Sequence, residues 1–291
     1  MKTQFDPELL SSFYLWFENH LTKDKVKAYK TGCSNSFKYV PFNDLPASKV
    51  GYQGIYRSLV ADDDIDVINS GFFVNNSFIS GDPNNNGGVV TDYKNGRLVF
   101  PAASGKSLSI TANSTVREIN VYTTNQSDEE IIMSSDFIES GNSTPYLYSK
   151  TERLDETIYA LPACFISSSR SHNEEFAFGG EEDTVSFLKV MVISQDQFML
   201  DATLSCFKDT VRETITHIPF ESFPYGNYFS LKSYPYSYQD TISSLQNPQK
   251  TLIKSVKSSK VTVDKIRENL NKNLFIGFLD FELSTLRFPR L

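Results

Sequence analysis

Three histidines, three cysteines and one tryptophan in 291 residues leave this sequence short of the side chains on which most reaction chemistry is built. His20, His172 and His217 stand far apart, and none belongs to an H-E-x-x-H or other ligand-spaced pair, so no metal centre is expected. Cys33, Cys164 and Cys206 are odd in number and widely spaced, which excludes a disulfide framework and a C-x-x-C pair. Cys164 and Cys206 sit in apolar patterns and read as small buried hydrophobes. No stretch approaches the roughly 18 apolar residues of a membrane span. The opening Met-Lys-Thr-Gln-Phe-Asp-Pro lacks the apolar segment of a signal peptide. No catalytic residue, cofactor or membrane partner is expected, and the chain does not read as an enzyme.

Positive charge is also scarce. The net charge of -7 argues against general or sequence-specific nucleic-acid binding, which needs a basic footprint to displace counterions from phosphate. From Gln249 to Leu291, however, nine Lys/Arg face four Asp/Glu, so the closing segment is locally basic on an acidic chain. A solvated lysine-rich face explains this; the alternative is one end of a subunit meeting the acidic end of a neighbour.

What is abundant is strand-forming material. Phe (23) and Tyr (15) bring aromatics to 13%, and hydrophobic residues make up 40%, enough for a core without staples. Asp6-Pro7-Glu8 has the signature of a helix start, and Leu9, Phe13, Trp16, Phe17 and Leu21 then form one apolar stripe. Core packing is the plain reading of that stripe, with docking on a neighbouring subunit through Trp16 as the alternative. From Phe37 to Thr124 short apolar runs predict strands at 37–40, 65–68, 72–74, 98–100, 108–110 and 119–122. Lys94-Asn95-Gly96 between Val89–Tyr93 and Arg97–Phe100 predicts a hairpin with a type I′ turn. Residues 81–88 read as a loop. The first half is therefore expected to be an antiparallel sandwich or small barrel.

Ser140-Gly141-Asn142-Ser143-Thr144-Pro145 reads as a hinge and places a boundary near residue 145, dividing the chain into 1–145 and 146–291. Beyond it, Ile158–Ile166 reads as a strand broken at Pro162, at an edge or a bulge. Thr184–Ile193 reads as a strand buried on both faces. Ser194-Gln195-Asp196-Gln197 has capping-box spacing and opens a helix through Glu213, with Phe198, Ala202, Cys206 and Phe207 facing the sheet. A short helix is predicted over 263–270, capped by Thr262, and a final strand over 274–288. The class is α+β: an N-terminal helix, a β-rich first domain, and a second domain with a helix on a mostly antiparallel sheet.

Four stretches are candidates for sites. Asp62-Asp63-Asp64-Ile65-Asp66 is acidic enough to attract a cation but lacks the glycine and the closing glutamate of a calcium loop; an exposed acidic turn is the plain reading. Phe178-Gly179-Gly180-Glu181-Glu182-Asp183 joins two strands and cannot cradle phosphate, because acids and a strand follow the glycines. His172, beside Asn173-Glu174-Glu175, reads as part of a polar loop. Phe223–Phe229 and Tyr234–Tyr238 form the most aromatic stretch; it reads either as a loop packed on its own domain or as an interface or glycan platform through Tyr225 and Tyr236.

The order Ile158–Ile166, Phe178-Gly179-Gly180, Val185–Ile193, helix 196–212 and the closing strand through Leu286-Arg287-Phe288-Pro289-Arg290 resembles the tail-terminator and head-to-tail neck proteins of tailed bacteriophages. The resemblance covers roughly residues 155–291 and is one of order and texture rather than of a diagnostic motif. It implies a virion protein, made and assembled in the host cytoplasm. It implies self-association into a ring of six, with other neck, tail-tube or sheath proteins as partners. Interface residues expected on this reading are Trp16, Phe178, Gly180, Glu181, Tyr225, Tyr236 and Arg290. The rival is a glycan- or protein-binding β-rich module.

Overall fold

The computed structural model describes residues 5–23, 25–42, 44–62, 71–139, 158–176, 180–261 and 274–288. The first half runs α1 (Phe5–Thr22), β1 (Tyr29–Val40), β2 (Lys49–Gly54), β3 (Gly71–Val74), β4 (Ser77–Ser80), β5 (Val90–Asp92), β6 (Arg97–Pro101), β7 (Ile110–Arg117), β8 (Asn120–Thr123), α2 (Asp128–Ser134) and β9 (Asp136–Glu139). The second half runs β10 (Ile158–Leu161), β11 (Ala163–Glu175), β12 (Glu182–Ser194), α3 (Gln197–Lys208), β13 (Thr214–Thr216), α4 (Tyr238–Ser244), β14 (Lys250–Lys260) and β15 (Phe275–Arg287).

These elements make a β-rich α+β fold of an N-terminal helix and two curled sheets. The seven-stranded sheet, in order β4-β3-β7-β1-β2-β6-β5, is antiparallel throughout. The six-stranded sheet, in order β13-β14-β15-β12-β11-β8, is mixed, because β8 runs parallel to β11. A small parallel pair joins β10 to β9.

Helix α1 has acids in its first turn, where they oppose the helix dipole. It is buried on almost every side from Ser12 to Thr22, which exceeds the single stripe that its spacing predicts. The aromatic side chains explain the difference. Phe13 meets Phe281 edge-on at 5.0 Å, and Phe17 stacks on Phe207 at 4.0 Å, so α1 lies between the six-stranded sheet and α3. The largest core cluster joins α1 and α3 to Cys164, Ile166, Leu188, Val190, Val192, Leu279, Phe281 and Leu283, and also takes in Leu59, Tyr93 and Val116 from the first half. A second cluster, with Phe37, Tyr52, Phe72 and Phe100, fills the seven-stranded sheet. A third, with Tyr122, Phe165, Met191, Ile193 and Ile276, covers the opposite face of the six-stranded sheet at one end. The expected boundary near residue 145, the hinge and the helix at 263–270 lie outside the described residues, as does the strand at 65–68.

Local details correct several expectations. The hairpin at 94–96 forms, with Asp92 opposite Arg97, but its turn spans four residues rather than two. The buried Asp92 carboxylate sets this geometry by accepting from the Asn95 backbone N–H at 2.9 Å and from Arg97 Nε at 2.7 Å. Gly96 alone takes the left-handed conformation (φ +60°); a Cβ there would sit 2.0 Å from the Tyr56 carbonyl oxygen, so no other residue fits. Helix α3 is capped by Asp196, whose Oδ1 accepts from the Phe198 N–H at 3.1 Å, and not by Ser194. It ends at Lys208, before Glu213. Its buried face is Leu200, Thr203, Leu204 and Phe207, while Phe198 is 83% exposed. The two sets share only Phe207, because the face that packs on the sheet is the one carrying Leu200 and Leu204, which lie against Gly277 of β15. The chain does break at Pro162, but β11 beyond it is interior, held between β12 and β8 over Ala163–Ile166. His172 lies in β11 rather than in a loop.

Candidate functional site

The long strands of the six-stranded sheet differ along their length. At one end β11 has β12 on one side and β8 on the other, and both faces are covered. Past Ile166 the β8 pairing stops, and β11 continues as the outer strand of a hairpin with β12, exposed from Ser168 to Glu175. The opposite edge behaves in a complementary way. β13 pairs with β14 only over Lys250–Leu252, and the Ile253 backbone is then bonded to Arg212 and Glu213. Lys254–Lys260 follows with its outer edge unpaired among the described residues.

The alternation that makes β12 a two-faced core strand also builds this open end. Thr184 and Ser186 continue the core face of Leu188 and Val190, while Asp183, Val185, Phe187 and Lys189 face the other way. On that second face Asp183 accepts from Ser284 Oγ at 2.6 Å and from Lys254 Nζ at 2.9 Å, tying β12, β15 and β14 together. Burial pushes the Asp183 carboxyl up, but the hydrogen bonds from Ser284 and Lys254 and the Lys254 charge outweigh it, leaving it below its ordinary range. The same bond raises the Lys254 ammonium. Glu282 accepts from Ser255 at 3.0 Å, and Arg170 lies over the Phe187 ring at 4.3 Å. At the sheet's tip Arg287 donates to Thr184 and to Asn173 at 3.3 Å and covers the Phe5 ring at 4.2 Å. The exposed apolar residues Leu252, Leu286, Phe288 and Phe176 belong to the same end of the sheet, where β14 and β15 pair beside the β11–β12 hairpin.

A second polar cluster is internal. Glu18 of α1 lies 3.4 Å from the Arg117 guanidinium of β7, accepts from Tyr14 at 2.7 Å, and accepts from Tyr225 at 3.4 Å. It fastens α1, the seven-stranded sheet and the aromatic loop at one point. Burial first, and the neighbouring Glu18 charge second, drive the Tyr14 and Tyr225 phenols well above their normal range. Asp62 belongs to the same region: it is buried and accepts from the Tyr238 N–H at 3.3 Å, which removes it from the exposed acidic turn expected there. Asp63, Asp64 and Asp66 lie outside the described residues. Among the described residues no group of three or more His, Cys, Asp or Glu is placed to hold a metal.

The predicted interface residues separate accordingly. Trp16, Tyr225 and Tyr236 are 3%, 6% and 7% exposed, and all belong to the main core cluster. Packing on the chain's own core is the role the structure gives them. Gly180 and Glu181 lie at the tip of the β11–β12 hairpin, Gly180 exposed and at φ +88°. Phe178 and Arg290 lie outside the described residues. Sequence reading gave Asp183, Lys254 and Arg287 no role of their own, because their partners are distant in the chain. It also missed α2, although Ser127-x-x-Glu130 is a capping box that the structure forms in full.

Comparison with protein-family models finds no matching model, and comparison with curated proteins finds no matching sequence.

Proposed function

We propose that this chain is a non-enzymatic structural subunit of a tailed-phage virion, assembling as a symmetric ring of six at the neck or the tail terminus. The observation that carries the reading is the open end of the six-stranded sheet. A sheet whose central strands run 13 residues, with the far half of the outer strand exposed, has more strand than its own core needs. Exposed strand edges are a hazard to a solitary protein and are normally blunted or covered. In an assembling subunit they are contact surface.

The order of elements in residues 155–291 supports the placement in a virion: a strand, a glycine-bearing tip, a second strand, a sheet-packed helix and a closing strand. Contacts that are the same in every copy and heterologous in kind close into a ring when the rotation between copies divides a full turn. A glycan platform, by contrast, needs open aromatic faces, and Tyr225, Tyr236 and Tyr238 are buried. Negative-stain imaging with static light scattering on the purified chain tests the proposal. Rings of uniform copy number are expected; single 32.9 kDa copies at high concentration would contradict it.

A further inference from the structure

The hydrogen-bond register of the sheet identifies which surfaces of two copies meet, on the reading above that the chain self-assembles. We infer that the outer edge of β11, residues Ser168–Glu175, pairs antiparallel with the outer edge of β14, residues Lys254–Lys260, of a second copy.

Direction is the first support. Going across β11, β12, β15 and β14, each neighbour is antiparallel to the last, so β11 and β14 run in opposite senses. A second copy's β14 placed beside β11 therefore continues the same antiparallel pattern. Nothing needs to be inverted.

The backbone groups agree. The Phe176 N–H donates to the Glu181 carbonyl across the hairpin, so His172 and Glu174 also turn their backbone toward β12. Ser171, Asn173 and Glu175, between them, turn theirs outward. On β14 the Val261 N–H donates to the Ile276 carbonyl, so Val256, Ser258 and Lys260 are the residues whose backbone faces out. Setting Ser171 opposite Ser258 places Asn173 opposite Val256 and Glu175 beside Lys254. Ser171 and Asn173 then meet the outward residues Ser258 and Val256, as a narrow antiparallel pair requires, while Glu175 falls at the β14 bulge. Charge follows in part: Glu175 closes the β11 edge beside Lys254, which also holds Asp183, while Lys260 is paired with Asp201 and Glu174 with His172 within the copy.

The third support is the offset. Within one copy Ser171 lies level with Ser186, Leu283 and Ile253. Pairing it with Ser258, and allowing for the bulge after Ile253, steps each copy about four residues along the strands, roughly 14 Å at ~3.4 Å per residue. Crossing four strands at ~4.8 Å covers roughly 19 Å. The resulting slope is about 36°, within the 35–45° tilt of sheets that close on themselves. The slope is what selects this register: Ser171 opposite Val256 would step about two residues, a slope of roughly 20°, and Ser171 opposite Lys260 about six, roughly 47°, both outside that range.

The test uses Ser171→Pro and Ser258→Pro in the full chain. Each removes one outward N–H without touching the pairing inside a copy, and proline is tolerated at such edge positions. Each variant alone should melt like wild type and sediment as single copies. A mixture of the two should give one-to-one heterodimers and no rings, because each variant retains the edge the other has lost. Glu175→Pro and Lys260→Pro, at the strand ends, serve as a second pair should either first variant fail to fold. Wild-type rings that persist in both variants, or a mixture that stays single, would overturn the edge pairing alone. Wild type that never assembles would overturn the ring reading and the pairing with it.

Discussion

The two ends of the six-stranded sheet are built from the same strands yet follow different rules. Where β8 borders β11, side chains on both faces are apolar, and Phe165, Met191, Val192 and Ile193 are at most 1% exposed. Where β8 no longer borders β11, the same alternation brings Arg170, His172 and Glu174 to the surface, and Lys254 and the half-buried Asp183 join the strands by an ion pair. The first end is stabilised by removing apolar area from water, which is non-directional and large. The second keeps one buried face but adds hydrogen bonds and charges that water weakens, and past β8 and β13 no strand borders its outer backbone among the described residues. The contrast separates the part of the sheet covered by the chain's own core from the edge proposed above to make contacts.

Substitutions at the two ends should therefore differ by several kcal/mol. The largest effects are expected in the buried core, away from the exposed edge. Phe207→Ala removes a fully buried ring stacked on Phe17 and should cost about 3–5 kcal/mol in chemical denaturation. Arg117→Met strands the buried Glu18 carboxylate and should cost about as much, ~3–5 kcal/mol. Pairing it with Glu18→Gln should recover a large part of that loss, which a double-mutant cycle reads.

His217 gives an intermediate effect with a distinct signature. It is buried against Phe5 with its Nε2 2.6 Å from Thr251 Oγ1; burial first, and the Arg287 charge second, depress it from an ordinary 6.5 to about 4. A depressed folded-state value means that the neutral ring is favoured in the fold. Its contribution is full above about pH 6.5 and is lost as the pH falls toward about 4, amounting to roughly 2–3 kcal/mol across that window. Urea midpoints measured from pH 7 to pH 4 should fall in wild type and fall less in His217→Gln. The smallest effect belongs to the open end: Lys254→Ala breaks the pair with Asp183 in partial solvent and should change stability by less than ~1 kcal/mol. A large loss there would erase the contrast between the two ends.

Much of the framework was legible because it rests on local rules. The α1 stripe, the continuous apolar run of β12, the one-sided apolar face of β15 and the glycine turn at 94–96 all carry their signal within a few residues. The cap of α3 was misplaced because two adjacent candidates, Ser194 and Asp196, both have cap chemistry, and only the backbone decides between them. The aromatic loop was ambiguous for a different reason. Whether Tyr225 and Tyr236 face water depends on Glu18 and Arg117, which lie more than a hundred residues away, and composition says nothing about that. The open edges were invisible because an edge is defined by where a neighbouring strand stops, and β8 and β13 stop for reasons set by their own connections.

Amide hydrogen exchange on the assembled and the diluted chain tests the contact role of the open end most directly. Slowing of exchange at Ser171, Asn173, Glu175, Val256 and Ser258 on assembly, with the closed end protected in both states, is the predicted result. Assembled particles in which these amides exchange as fast as in single copies would contradict it.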